Sequence, residues 1–225
     1  SRKMYSFGME MGYVQANPFS TFKCRTPKSR KILWTREQVK IFLDYAYSNF
    51  KTRNLGLIVQ MAYEWCQRIG DMRLLKFECI DFNEGILHLE QSKRRATVHL
   101  PISESLLGML VQQKNDYGFQ KYVAPMPKAI RGAYKPYSLH GISKIGRQAI
   151  SSAGLPNELR LADLRRTGTT EMVEAGVSMG QIMSVTGHAN PNSVMPYMKN
   201  TYISAKKALT VRESLGISTR QVPNS

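Results

Sequence analysis

The hydrophobic period of this chain changes twice, and that change limits its fold more than any other feature. Val39, Phe42, Leu43 and Ala46 repeat at helical spacing, as do Leu55, Ile58, Val59, Ala62 and Cys66. Each set is one buried stripe of a helix. Between residues 78 and 102 the period drops to two. Leu87 and Leu89 alternate with His88 and Glu90, and Val98, Leu100 and Ile102 alternate with Thr97 and His99. The β-favouring runs 78–82, 86–91 and 96–102 are separated by Asn83-Glu84-Gly85 and by Ser92-Lys93-Arg94-Arg95, both turn-forming. Such runs predict a small antiparallel sheet with one buried face. Helical spacing then returns. Helices, a three-stranded sheet and further helices make an α+β fold, mainly helical around the sheet, and not a parallel βαβ array.

The rest of the chain fits around that core. Residues 1–20 predict a helix from Met4 to Met11, closed at Gly12, with Asn17-Pro18 as a stop. Residues 21–33 are basic, contain Pro27 and lack apolar spacing, as a linker along phosphates would. Thr35 reads as a helix N-cap, with Gln38 completing a capping box for a helix to about Asn49. Ser103 starts a helix to about Lys114, residues 115–137 read as loop, and helical patterns follow at 138–153, 163–176, 178–185, 190–199 and 203–215. Met172, Met179, Met183 and Met195 read as core fillers. The organisation expected is the end of one domain (1–20), a basic linker (21–33) and one domain from 34 to 225.

Composition points to the partner. Lys and Arg number 32 against 16 Asp and Glu, a net charge of +16. Such a surface attracts a polyanion, with nucleic acid first and anionic membrane as the blander rival. No apolar run approaches the roughly 20 residues of a membrane span. Cys24, Cys66 and Cys79 are odd in number and without a C-x-x-C, which suits a reducing cytosol and argues against a disulfide framework or zinc site. The start has no signal-peptide apolar region and no initiator Met, as in an excised fragment.

Cutting a DNA phosphodiester needs a nucleophile, charge neutralisation on the non-bridging oxygens, a proton acceptor, and a donor for the leaving oxygen. Arg suits the oxygens because its planar fork bonds two at once and stays charged. Arg68 follows the second helix, with Asp71 one turn away to brace it. Lys93 lies on a hairpin tip. Arg165 opens a helix, where anions are favoured. His188 follows Gly187 at a helix end, and Tyr197 lies near the end of the next predicted helix. Acidic residues are sparse and the four histidines scattered, which disfavours a two-metal nuclease. Each residue alone reads more readily as solvated surface or packing. His88 and His99 read as surface or cross-strand residues, and His140 carries no signal alone.

In this order the residues resemble the tyrosine recombinase (phage integrase) family. The matches are Arg68 with Asp71, Lys93, Asp163-Leu164-Arg165-Arg166-Thr167, Thr186-Gly187-His188, and Tyr197 nine residues beyond His188. They span about residues 34–210, and residues 1–20 look like the end of that family's N-terminal core-binding domain. The resemblance implies a site-specific recombinase or integrase in which Tyr197 attacks the phosphate and forms a 3′-phosphotyrosyl link, with no ATP, metal or other cofactor. It implies Arg68 and Arg165 on the phosphate oxygens, Lys93 as general acid, and His188 hydrogen-bonded to the phosphate. Tyr202 is the competing nucleophile, read as packing.

Lys28, Arg30, Lys31, Arg94, Arg95 and Arg166 are the DNA-backbone candidates. Implied partners are double-stranded DNA attachment sites, further copies of the chain as a tetramer on DNA (with a monomer compatible in solution), and DNA-bending accessory proteins, in the cytoplasm of a bacterial host. The departure is Ala162, where the family has His, the base for the tyrosine proton. Three readings stand: an active site using water or a neighbour, an engineered alanine, or a DNA-binding homologue that no longer cuts. A type IB topoisomerase-like nicking-closing enzyme is the enzymatic alternative.

Overall fold

A computed structural model describes residues 2–21, 30–93, 95–198 and 202–214. It divides into two units, Ser1–Lys31 and Ile32–Ser225. In the first, helix α1 (Arg2–Glu10) gives way to a turn at Gly12, whose φ of +74° only glycine adopts freely. Asn17 then clasps the helix start: its Nδ2 donates to Arg2 O and Ser6 Oγ, and its Oδ1 accepts from Phe19 N. The predicted stop lies at this clasp. α1 buries no residue, and Met4, Phe7 and Met9 are exposed along it.

The second unit is built on α3 (Phe50–Glu64), in which every residue from Asn54 to Ala62 is buried. α2 (Arg36–Tyr47) starts with the predicted Thr35–Gln38 capping box. It crosses α3 at Gly56, where a Cβ would lie 2.9 Å from Ala46 Cβ. After a short helix, α4 (Ile69–Met72), come the strands β1 (Ile80–Asp81), β2 (Ile86–Glu90) and β3 (Thr97–Pro101), antiparallel in that order. Leu87, Leu89, Val98 and Leu100 are buried while His88, Glu90, Thr97 and His99 are exposed, as the alternation requires. The indole of Trp65 donates to Pro101 O at 3.1 Å and ties the end of α3 to the sheet.

α5 (Glu104–Tyr117) begins at the Ser103 cap, and α6 (Leu139–Ser152), α7 (Leu164–Ala175), α8 (Met179–Thr186) and α9 (Tyr202–Ser214) complete the order. α7 packs so closely on the end of α3 that a Cβ on Gly168 would meet Cys66 Sγ at 2.5 Å. One apolar cluster runs from Trp34 to Leu164.

Three expectations change. The run 78–82 yields only a two-residue strand, because Phe77–Cys79 forms a 3-10 turn. Residues 190–199 are not one helix. Pro191 and Pro196 each open a separate 3-10 turn, Pro191–Ser193 and Met195–Tyr197, on either side of the buried Val194. A proline lacks the N–H an α-helix interior needs and starts a new turn instead. Met195 is consequently 54% exposed and no core filler, while Met172, Met179 and Met183 are half-buried. No described helix is long and apolar enough to cross a membrane.

Burial makes the fold sensitive to alkali. It pushes the thiol of Cys66 and the phenols of Tyr63 and Tyr137 to about 12, and raises Tyr47 further. In the unfolded chain such groups lose their protons from about pH 8.5 (Cys) and 10 (Tyr). Between those values and 12 the folded state holds more protons, so stability falls as pH rises. Arg165, lowered by burial to about 10, acts in the opposite sense but is one group against four. Urea midpoints should be level from pH 7 to 8.5 and drop steadily from pH 9 to 11; a level profile through pH 11 contradicts these burials.

Candidate active site

The site starts where α3 ends. Cys66 takes a left-handed backbone conformation (φ +51°), which turns its carbonyl toward α7, and Gln67 follows with its side chain fully buried. Gln67 Nε2 donates to Trp65 O and Val185 O, while its Oε1 accepts from Gln91 Nε2 at 2.7 Å. Gln91, just past the end of β2 and equally buried, uses its second N–H on Thr186 O at 2.8 Å. Its Oε1 accepts from Arg68 Nη1 at 2.9 Å. All four amide hydrogens of the pair are used, so two polar side chains stay buried at little cost.

Arg165, the second residue of α7, is held on the other side of the same pair. Its Nη1 donates to Cys66 O (3.1 Å) and Gln67 Oε1 (3.4 Å), and its Nη2 to Thr186 O (2.7 Å). Val185 and Thr186 end α8, where carbonyls lack helical partners and the helix dipole is negative. Two glutamines and a guanidinium satisfy them. Gly187 caps α8 at φ +67°, and a Cβ there would sit 2.6 Å from Gln91 Nε2. Glycine is required on both counts.

The imidazole of His188 follows directly. Arg165 Nη2 lies 3.2 Å from His188 Nε2, and Thr186 Oγ1 lies 2.8 Å from Nδ1. A guanidinium only donates, so Nε2 is the acceptor. Thr186 Oγ1 spends its own hydrogen on Ile182 O, leaving a lone pair for Nδ1–H. The resting tautomer assigned by this network carries its proton on Nδ1. Tyr197 closes the Met195–Tyr197 turn, held by its N–H to Val194 O, with its ring 6.3 Å from the His188 ring at 35°. The expectation that Tyr197 sits on a helix is therefore corrected to a 3-10 turn.

Asp71 is buried behind Arg68. Its Oδ2 is 3.8 Å from Arg68 Nη1, an ionic distance too long for a hydrogen bond, and has no hydrogen-bond partner among the described residues. Its Oδ1 accepts from Ser92 N and Ser92 Oγ. Asp71 thus fastens the turn that presents Lys93 and attracts Arg68 only across a gap. The direct brace on Arg68 is Gln91.

Arg68, Lys93, Ala162, Arg165, Arg166, His188 and Tyr197 all line one cleft of about 700 Å³. Arg147 and Arg160, not singled out from the sequence, line it too. Arg147 was legible in principle. It falls beside Leu139, Ile142 and Ile150 of α6, an arginine amid apolar neighbours. Gln67 and Gln91 had no such signal, since a buried amide looks like any surface amide in a sequence. Arg95 is exposed on the hairpin, outside this lining, and Arg30 and Lys31 are exposed in the first unit. Lys28 and Arg94 lie outside the described residues, as do Cys24 and the side chain of Tyr202.

Electrostatically the cleft is unbalanced. Burial lowers Arg165 to about 10, and the neighbouring Arg68 charge lowers it next, while Tyr197, Cys66 and Asp71 pull it back up. Arg165 is thus charged at neutral pH, and an anion between the two guanidiniums would relieve both burial and repulsion. No group of three His, Cys, Asp or Glu among the described residues could hold a metal ion.

Comparison with known proteins agrees. The model of the phage integrase family matches residues 33–203. Tyrosine recombinase XerC of Syntrophus aciditrophicus (strain SB) is 20% identical over 93% of this chain and 69% of its own length. The Escherichia coli shufflon-specific DNA recombinase is 24% identical over 66% of this chain, and the Chlamydia muridarum virulence plasmid integrase pGP8-D is 26% identical over 64%. The matched regions are 36% and 43% of those two proteins, so the chain spans less than half of each. Among solved structures, the Tn1549 transposon integrase in complex with a circular intermediate DNA superposes with a TM-score of 0.72 at 13% identity, covering 93% of this chain and 76% of that one. A lambda integrase tetramer bound to a Holliday junction gives 0.67 at 19% identity, covering 88% and 57%. These superpositions show a shared fold, and the family model, matching well over half of the residues, shows that the chain belongs to the phage integrase family of tyrosine recombinases.

Proposed function

We propose that this chain breaks and rejoins DNA at specific sites through a covalent link between Tyr197 and a 3′-phosphate. The observation that carries this reading is the single cleft that gathers Arg68, Lys93, Arg165, His188 and Tyr197 from five separate parts of the chain. A phosphodiester between Arg68 and Arg165 replaces the repulsion of two cations with two charge-assisted contacts. The Tyr197 oxygen attacks phosphorus, the P–O5′ bond breaks, and Lys93 protonates the leaving 5′-oxygen. The phosphotyrosyl ester retains the energy of the original bond, so a 5′-hydroxyl can reverse the step without ATP. The guanidiniums meet the non-bridging charge that a metal would otherwise meet.

Ala162, whose methyl lines the cleft, neither gives nor takes a proton. His188 Nε2 is a lone pair facing Arg165. When Arg165 turns to the phosphate, that lone pair is released and accepts the Tyr197 proton. The imidazolium then donates from Nε2 to a phosphate oxygen. One proton transfer thus turns His188 from acceptor into phosphate donor. Arg147, Arg160 and Arg166 extend the positive surface along the backbone, with Arg30, Arg95 and Lys31 as further phosphate contacts. In this reading residues 1–20 belong to a core-binding domain and residues 21–33 are the basic linker from it. Assembly on DNA is a tetramer, as in the lambda integrase complex with a Holliday junction.

The test begins by selecting bound duplexes from a random library and building a nicked substrate on the selected site. Denaturing gels should show a covalent protein–DNA adduct that is lost in Tyr197→Phe and kept in Tyr202→Phe. No adduct with the unaltered chain sinks the proposal in favour of DNA binding alone, and relaxation of a plasmid lacking the site favours a topoisomerase. Ala162→His should accelerate adduct formation by at least about tenfold, given that a positioned base contributes roughly 10²–10⁴. Gln91→Leu strands Arg68 and part of the buried network at about 1–3 kcal/mol. A fall of several degrees in Tm, with cleavage slowed more than DNA binding, is the expected result.

A further inference from the structure

The outer face of the sheet carries a feature that the cleft does not use. His88 on β2 and His99 on β3 are register partners, both exposed. Their rings meet at 72° with centroids 4.9 Å apart, and Nδ1 faces Nδ1 at 2.7 Å. One Nδ1 donates its proton and the other accepts it. Neither ring lies on the side of the core, and neither lines the cleft of Arg165 and Tyr197.

We propose that this pair is a chelating site for a divalent late-transition cation, of the Ni2+ or Cu2+ class. Imidazole nitrogens bind such ions at about 2.0–2.1 Å, so two at right angles lie about 2.9 Å apart, and two in a tetrahedral site about 3.3 Å. From 2.7 Å the nitrogens separate by a few tenths of an ångström, and each ring turns so that the Nδ1 now aimed at its partner points at a shared ion. The strand pairing fixes the two backbones side by side, so only side-chain torsions remain to be ordered on binding.

Charge at this face supports a cation despite the basic chain. Glu78 and Asp81 share a surface hollow with His88, and Glu90 lies one outward position along β2. Asp81 is held ionised by the Glu84 and Asn83 amides on its Oδ1, with the nearby His88 contributing less. Glu78 is ion-paired with Lys76 Nζ at 2.8 Å, which leaves Asp81 as the carboxylate of the hollow, while Lys114 has its Nζ 4.2 Å above the Phe82 ring. No third His, Cys, Asp or Glu among the described residues comes close enough to form a triad, so water completes the coordination sphere. Binding breaks the imidazole–imidazole hydrogen bond. The bridging Nδ1 proton passes to solvent while Nε2 of the same ring takes one up, two nitrogen–metal bonds form, and two metal-bound waters leave. Nothing is oxidised or reduced. The bound ion would link the two strands that lead into the Lys93 turn.

The test is calorimetric titration of the untagged chain with NiCl2 and, separately, CuCl2 and ZnCl2. One equivalent should bind, with Cu2+ tightest. His88→Gln or His99→Gln should each weaken Ni2+ binding at least about tenfold, since one imidazole is then lost from a two-nitrogen chelate. His140→Gln, an exposed single histidine on α6, should leave it unchanged. A metal-free melting curve for each variant establishes that the fold is intact. Unchanged Ni2+ affinity in folded His99→Gln, or no binding by the unaltered chain, overturns the proposal.

Discussion

The buried amide pair of Gln67 and Gln91 is the joint on which the site depends. It lies where three elements end: α3 through Trp65, β2 through Gln91 itself, and α8 through Val185 and Thr186. Each end offers backbone groups that no helix or ladder partner can satisfy, and the amides satisfy them across the gap. Two guanidiniums are fixed as a consequence. Arg68 is bonded to the free face of Gln91, and Arg165 to the carbonyls of Cys66 and Thr186. Gly168 and Gly187 are the steric conditions for this arrangement, since a side chain at either position would fill the space taken by Cys66 or Gln91.

Electrostatics then decides what the joint is for. A protein core ordinarily pairs a buried charge with its opposite. Here Arg165 is 8% exposed and bonded to neutral acceptors, with Asp71 at a distance from Arg68 and otherwise engaged with Ser92. The positive charge is left to be completed by something from solution. That arrangement explains why a basic chain places cations in a cleft instead of spreading all of them over its surface. On the outer sheet face the paired imidazoles have Asp81 in the hollow beside His88 and Glu90 on the same face of β2.

Elements with a local cause were readable. The Thr35–Gln38 box, the Ser103 cap, the Gly85 turn and the alternation through Leu87 and Leu89 each depend on neighbours a few residues away. The segment 190–199 carries helical apolar spacing, but Pro191 and Pro196 divide its described part into two 3-10 turns, and Met195 is thereby turned out of the core. In the site, Arg68, Lys93, Arg165, His188 and Tyr197 were legible because their order and spacing follow a family pattern. Gln67 and Gln91 were not, because their roles rest on partners far away in sequence.

The amino-acid sequence by itself determined the α+β class, the helix starts, the two-residue alternation of the sheet and the family to which the motifs point. These follow from local backbone preference and hydrophobic period, which act over a few residues. Only the tertiary structure decided that Gln91 and not Asp71 bonds Arg68, that His188 presents an unprotonated Nε2, and that His88 and His99 face each other nitrogen to nitrogen. Hydrogen-bond direction and tautomer depend on which donors and acceptors meet, and here they meet across separations of 11 to 23 residues.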